Sequence, residues 1–167
     1  TLKAIIALFF TLSILFGAKL TFMHLALPMD FGSFMASGEQ AWAGTNPYSY
    51  DHELVFNVPI SDFQIKIPSP NLNPPISALL FQMISATGID PGIAAIAWKI
   101  ISFISYLIFL YYLRKAYPQN TKPLTILWTL SLAGFWQTVE VGQIYMPLLF
   151  IVFFAWRNLE KKNWIGA

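Results

Sequence analysis

Asp30 is the side chain whose type and position best suit acid–base chemistry at a membrane surface. It follows an apolar run that ends near residue 27, so its carboxylate is expected at the interface rather than in bulk water. There it could accept the proton of an attacking hydroxyl while a lipid-linked substrate stays in the bilayer. The alternative is an ordinary interfacial aspartate that ends a helix, and position alone leaves both interpretations open.

Two lysines interrupt apolar runs, Lys19 in the first and Lys99 in the second. A cation at the centre of a membrane helix costs about 2.5–3.5 kcal/mol on insertion scales, so each needs a reason to be there. Lys99 lies about two turns from the outer end of its run and could bind a phosphate group from within the bilayer. Either lysine could instead extend its ammonium to the interface.

Glu140 and Gln143 flank Gly142 in a polar interruption between two further apolar runs. Glycine permits a tight turn at such a place because it has no Cβ. Gln143 could then donate a hydrogen bond to a sugar hydroxyl or a phosphate oxygen. The alternative is a polar turn that binds nothing.

The composition is that of an integral membrane protein. Of 167 residues, 56% are hydrophobic and only 11% are charged, whereas a soluble domain carries about a quarter charged residues. Cysteine is absent, which excludes a disulfide framework, Cys-ligated zinc and a thiol nucleophile. The net charge of +2 comes with no basic tract, so nothing indicates nucleic acid. His24 and His52 have no partners at metal-ligand spacing.

Four apolar segments are predicted to cross the bilayer, which makes the fold class all-α integral membrane and residues 1–167 a single membrane domain. They are residues 4–27, 93–113, 124–139 and 144–156. A span needs about 20 residues, so the last two must extend into the linker between them. Residues 76–87 are too few to cross and predict a half-inserted helix that starts after Pro74 and Pro75.

The distribution of charge predicts which side of the membrane each loop faces. Short cytoplasmic loops carry an excess of Lys and Arg, so the basic clusters after the second and fourth spans are assigned to the cytoplasm. Residues 28–92 are mainly acidic, with Lys66 alone as a cation, and are predicted to be external. If residues 76–87 crossed instead, the cluster around Arg114 would be external and would break the rule. A helix is predicted within this loop over residues 33–42, followed by a turn over residues 44–48. A loop this long with short helices of its own favours a functional role.

The order of these pieces resembles a known enzyme family. A span is followed by Asp30, then by ASGEQAWAGTNPYSY, by NLNPP at the start of a short apolar helix, by a span that ends in Arg114, and by VEVGQIYMPLLF. This resembles family 87 of the type-C glycosyltransferases, which are related to polyprenyl-phosphate-mannose-dependent α-mannosyltransferases. Members have an acidic residue after the first span, a G-x-[ND]-P-Y turn, a Y-P-P-like element and a G-Q-x-N-like motif.

The chain departs from that pattern twice. Leu72 and Asn73 stand where the family has an aromatic residue before proline, and Ile144 and Tyr145 follow Gln143 in place of x-Asn. The second departure puts a specific role for residue 145 in doubt. The family also has many more spans than four, so the chain is interpreted as the N-terminal part of a longer protein.

The resemblance implies a hexosyltransferase of the plasma or inner membrane whose active site faces the external or periplasmic side. Asp30 would be the catalytic base that deprotonates a hydroxyl of a lipid- or glycan-linked acceptor. That hydroxyl would attack the anomeric carbon of a mannose-like hexose carried on polyprenyl phosphate, with inversion. The partners implied are this donor, the acceptor and membrane lipid.

The remaining candidates would bind substrate. Lys99 would stabilise the charge that develops on the leaving lipid phosphate. Glu140 and Gln143 would line the pocket across from Asp30, and Tyr48, with Trp42, could offer a face to a sugar ring. Asn73 is the fifth residue expected to bind substrate, beside Lys99, Glu140, Gln143 and Tyr48. No metal ligand is assigned, although many type-C enzymes use a divalent ion, so metal dependence stays open.

Two alternatives belong to other functional classes. A transporter or flippase fragment would use Lys19, Lys99 and Glu140 to line a translocation path, and a non-catalytic membrane subunit would have no chemistry of its own. The transporter hypothesis predicts spans broken at the bilayer midplane and usually a short first loop. The long external segment over residues 28–92 argues against it.

Overall fold

The described part of the chain is mainly helical. The computed structural model describes residues 2–23, 29–48, 53–57, 64–68 and 74–162. Its elements are, in chain order, α1 (Leu2–Met23), α2 (Met29–Trp42), β1 (Glu53–Asn57), β2 (Gln64–Pro68), α3 (Pro75–Ser85), α4 (Pro91–Ala116), α5 (Pro123–Ser131), α6 (Ala133–Glu140) and α7 (Tyr145–Glu160). The predicted all-α membrane fold class is confirmed, with one short β-hairpin added to it.

The chain divides into two compact units. The first unit combines Thr1–His24 with Lys99–Ala167, and therefore contains α1, most of α4, and α5 to α7. The second unit is Leu25–Trp98, which contains α2, the two strands, α3 and the start of α4.

Among the described residues, two helices are long and apolar enough to cross a membrane, namely Leu2–Phe22 within α1 and Pro91–Ala116. Helices α6 and α7 together satisfy the same requirement but are bent by 111° at the turn between them. Both long helices expose many large apolar side chains, including Phe9 and Leu15 of α1 and Ile104 of α4. Such surfaces need lipid around them, because water would make their exposure unfavourable. The number of helices that cross stays a prediction.

The predicted third span, residues 124–139, is two short helices in the structure. Leu132 separates α5 from α6 in an extended conformation, with φ −67° and ψ 127°. The indole Nε1–H of Trp136 donates to the carbonyl oxygen of Leu130 over 2.8 Å. Carbonyl groups in the last turn of a helix have no intrahelical partner, so Trp136 stabilises the end of α5 and with it the break.

An aromatic core joins α2 and α3 in the second unit. The Phe81 ring of α3 lies 5.5 Å from Phe31 and 5.1 Å from Phe34, both of α2. Trp98 completes the cluster at 5.3 Å from Phe81, measured between ring centroids. The two helices approach so closely at Gly38 that an added Cβ would lie 2.4 Å from the Phe81 carbonyl carbon.

Helix α3 has one buried and one exposed side. Pro75 occupies its first turn, and the Ser77 hydroxyl donates to the Pro74 carbonyl oxygen over 2.6 Å. Ile76, Leu79 and Met83 are 71%, 56% and 65% exposed. An 11-residue helix with large apolar side chains on its open side fits the half-inserted helix predicted over residues 76–87.

The β-hairpin lies within the loop that the sequence predicts to be external. Its strands pair antiparallel, with Glu53 opposite Pro68 and Asn57 opposite Gln64. No strand is predicted there from the sequence, because two runs of five residues between prolines and polar residues carry too short an alternation.

Candidate active site

Asp30 lies in the first turn of α2. The sequence predicts the helix only from Ser33, but the structure starts it at Met29. The positive end of the helix dipole favours a carboxylate in the first turn, which gives Asp30 a reason to be inside the helix. Its side chain is half-buried and is followed directly by Phe31, which is buried in the aromatic core.

The other carboxylates of the same loop have different environments. Desolvation raises the pKa of Glu39, on α2, above its ordinary value of 4.5. Asp90 accepts a hydrogen bond from the Ile93 backbone N–H over 3.0 Å, so it caps the start of α4. Asp51 and Asp62 lie outside the described residues. Asp30 and Glu39 are therefore the two described carboxylates of α2 that remain candidates for a base.

Tyr48 ends the turn that the sequence predicts over residues 44–48, and the structure confirms that turn. The Thr45 N–H donates to the Gln40 carbonyl oxygen over 2.9 Å and closes the end of α2. The Asn46 side-chain oxygen accepts the Tyr48 N–H over 3.0 Å, which fixes the chain around the intervening proline. Tyr48 is 37% exposed, so part of the residue is accessible.

Lys99 is hydrogen-bonded to the last turn of α1. Its side chain is only 6% exposed, and Nζ donates to the Thr21 carbonyl oxygen over 3.2 Å. Thr21 lies in the last turn of α1, where carbonyl groups lack intrahelical partners and the helix dipole is negative. The ammonium therefore satisfies a buried acceptor and is not extended towards water. Lys19, by contrast, is exposed.

Glu140 interacts electrostatically with Lys99, so the structure brings these two predicted residues of the first unit together. Glu140 is the last residue of α6, and the chain then turns at Gly142, whose φ of 76° is readily adopted only by glycine. The Gln143 N–H donates to the Thr138 carbonyl oxygen over 3.1 Å and closes that turn. The backbone conformation of Gln143, three residues after Glu140, is therefore fixed by this turn.

A cleft of about 480 Å³ opens between α1 and α6, with Glu140 as the one charged residue among its described lining residues. Ser13, Gly17 and Thr21 line its α1 side at a spacing of four residues, which places them on one helix face. Trp136 lines the opposite side so closely that a Cβ added to Gly17 would lie 2.3 Å from its ring. The absence of a side chain at Gly17 therefore provides the space for the Trp136 indole.

Residues 71–167, more than half of the chain, match the model of glycosyltransferase family 87. The chain belongs to glycosyltransferase family 87. It is therefore a glycosyltransferase, which acts on a sugar donor and an acceptor. No curated protein and no solved structure matches it.

Membership of family 87 decides between the functional classes that the sequence leaves open. The break at Leu132 is a feature that the transporter hypothesis predicts, but the matched family is one of glycosyltransferases. The matched region includes Lys99, Glu140 and Gln143, whereas Asp30 and Tyr48 precede it. The catalytic and binding roles of all five stay predictions.

Thr21 and Trp136 also shape the site of this family 87 protein, and neither is a candidate from the sequence. Thr21 accepts from Lys99, and its hydroxyl lies 3.5 Å from the Trp136 carbonyl oxygen, at the limit of a hydrogen bond. The spacing of Ser13, Gly17 and Thr21 is the one signal that could have indicated a close helix contact here.

Asn73, His24 and His52 also lie outside the described residues. Within the described ranges, no group of three or more His, Cys, Asp or Glu residues comes together that could hold a metal ion.

Proposed function

We propose that this family 87 protein transfers a mannose-like hexose from a polyprenyl-phosphate donor to a lipid- or glycan-linked acceptor at the external face of the cell membrane. Asp30 accepts the proton of the acceptor hydroxyl, whose oxygen attacks the anomeric carbon. The bond to the lipid phosphate breaks, the phosphate leaves with the electron pair, and configuration is inverted. The observation that carries the proposal is the position of Asp30 in the first turn of α2, soon after the apolar helix α1.

The surroundings of α2 support a base that works at a membrane surface. Helix α2 packs on α3, and α3 exposes Ile76, Leu79 and Met83 on its other side. Side chains of that size and polarity favour insertion into the upper part of a bilayer. A lipid-linked donor held in the same bilayer would keep its phosphate and sugar near the level of its surface, where a base is needed.

Lys99 is proposed to bind the donor phosphate. The phosphodiester of the donor carries one negative charge, and the phosphate monoester that leaves carries about two at neutral pH. A cation is therefore worth more as the bond breaks than before it does, which is the condition for catalysis rather than mere binding. Glu140 would weaken phosphate binding, because its negative charge offsets part of the Lys99 charge. The phosphate and Glu140 would therefore compete for the same ammonium group.

The other candidates are proposed to bind the sugar or the acceptor. Tyr48 is partly exposed, and its aromatic ring is of the type that packs on the apolar face of a sugar. Gln143 supplies amide groups beside Glu140 in the turn after α6. Asn73 is the third such candidate.

The class of donor is the point to test first. The full-length protein in proteoliposomes would be given either a polyprenyl-phosphate sugar or the corresponding nucleotide-activated sugar, each with the same acceptor. We expect transfer from the lipid donor alone, and a product whose anomeric configuration by NMR is opposite to that of the donor. Equal transfer from the nucleotide sugar, or retained configuration, would contradict the proposal.

A further inference from the structure

A second cleft, of about 330 Å³, lies between the last turns of α4 and α7. Three basic residues line it: Lys115 from α4, Arg157 from α7, and Lys161 just after α7. Phe153 and Phe154, about one helical turn before Arg157 on α7, line it as well. None of these residues belongs to the candidate active site, and none has a role in the proposed function.

The guanidinium of Arg157 is held in place by two neighbours. It forms an ion pair with Glu160, and its Cζ lies 5.3 Å from the centroid of the Tyr117 ring. The Tyr117 hydroxyl donates to Glu160 over 2.8 Å, so the carboxylate is fixed as well. A cation held this way on one side of a cleft needs little further ordering to meet an anion.

The cleft keeps an excess of positive charge. Glu160 offsets one of the three basic residues, while neither Lys115 nor Lys161 has an ion-pair partner in the part of the chain that the structure describes. Two uncompensated ammonium groups at the end of an apolar helix pair attract an anion from the surface of a membrane.

The aromatic residues that line the cleft favour an anion that also carries apolar groups. The Phe154 ring packs on Tyr112, with 5.0 Å between their centroids, and Phe153 packs on Phe154. A small soluble phosphate would contact the basic residues and leave these aromatic side chains unused. A phospholipid places its phosphate beside the cations and its glycerol and acyl groups against the aromatic side chains. We propose that this cleft binds the headgroup of an anionic phospholipid.

The test compares lipids on the intact protein. The purified chain is mixed in detergent with equal amounts of phosphatidylglycerol and phosphatidylcholine, and native mass spectrometry measures which lipid stays bound. We expect phosphatidylglycerol to be retained preferentially, and glycerol 3-phosphate in the same mixture not to displace it. Equal retention of the two lipids would overturn the site, and displacement by glycerol 3-phosphate would show a soluble-phosphate site instead.

A pair of double variants separates this cleft from general surface charge. Lys115→Gln with Lys161→Gln should weaken retention of phosphatidylglycerol about ten- to thirtyfold, because each lysine near the surface contributes to binding an anionic lipid. Arg114→Gln with Lys162→Gln is the matched control, since both residues are exposed, neighbour the lining lysines and do not line the cleft. An equal loss in both double variants would contradict the proposal.

Discussion

The ammonium of Lys99 donates a hydrogen bond to the carbonyl oxygen of Thr21 over 3.2 Å. This contact joins α4 to the last turn of α1, at the buried residue Thr21. It also places the positive charge at the negative end of a helix dipole. The lysine therefore stabilises the first unit whether or not it binds a phosphate, and an experiment on it must separate the two roles.

Lys99→Met is expected to raise the KM for the lipid donor at least about tenfold, because it removes the cation proposed to meet the phosphate. The effect on stability should be smaller, since the loss of about 1–3 kcal/mol for an unpaired carbonyl is offset by removal of a buried charge. Lys99→Arg should restore part of the donor affinity. Donor titrations and thermal unfolding of the same preparations measure both quantities.

Lys19→Met is the control for that experiment, because Lys19 is exposed on α1. It should leave the KM for the donor unchanged. A Lys99→Met protein that unfolds at lower temperature but has an ordinary KM would assign Lys99 to structure alone.

Gly17→Ala tests the contact between α1 and α6. Because an added Cβ would lie 2.3 Å from the Trp136 ring, the variant should lose about 1–3 kcal/mol of stability despite the better helix propensity of alanine. Gly134→Ala is the matched control, since nothing lies within 4 Å of its Cβ position. That variant should be unchanged or more stable by up to about 1 kcal/mol. Equal stability of the two variants by denaturant unfolding would show that the indole moves aside freely.

The predicted topology can be tested with single cysteines, because the chain contains none of its own. Ala43→Cys lies in the exposed turn after α2, and Gln119→Cys lies in the exposed turn after α4. An impermeant thiol reagent applied to whole cells should label Ala43→Cys and should reach Gln119→Cys only after permeabilisation. Labelling of both in intact cells would mean that residues 76–87 cross the membrane.

Glu39 gives α2 a pH dependence of known sign. Since desolvation raises its pKa in the folded chain, the folded state holds this proton more tightly than the unfolded state does. The stability that it contributes is complete below the ordinary value of 4.5 and is lost as the pH rises through the raised pKa. Because Glu39 is largely exposed, Glu39→Gln should unfold at only a slightly higher temperature than wild type at neutral pH, and at the same temperature below about pH 4. A difference independent of pH would rule out this titration as its cause.

Features set by neighbours in sequence could be predicted, and those set by distant contacts could not. The long apolar helices and the turn that ends at Tyr48 follow from hydropathy and from glycine, asparagine and proline in succession. The contact between Lys99 and Thr21 joins positions 78 residues apart, so no local sequence pattern could predict it. The break at Leu132 likewise depends on Trp136 reaching the carbonyl of Leu130, with neither glycine nor proline at the break itself.

The sequence predicts that α2 starts at Ser33, whereas the helix starts at Met29, and the reason is again a distant contact. Phe31 and Phe34 are buried against Phe81, and that packing draws the preceding residues into the first turn. The position of Asp30 within the helix therefore depends on tertiary contacts, whereas its residue type and its place after the first apolar run already make it the leading candidate for the base.

The most direct test of the central claim is the rate of sugar transfer by Asp30→Asn in the full-length protein. The change keeps the size of the side chain and removes its basicity, so kcat should fall at least about 100-fold while the protein inserts and folds as wild type does. Glu39→Gln, measured in parallel on the same helix, should stay within a few-fold of wild type. Transfer by Asp30→Asn within a few-fold of wild type, with Glu39→Gln inactive, would contradict the assignment of the base to Asp30.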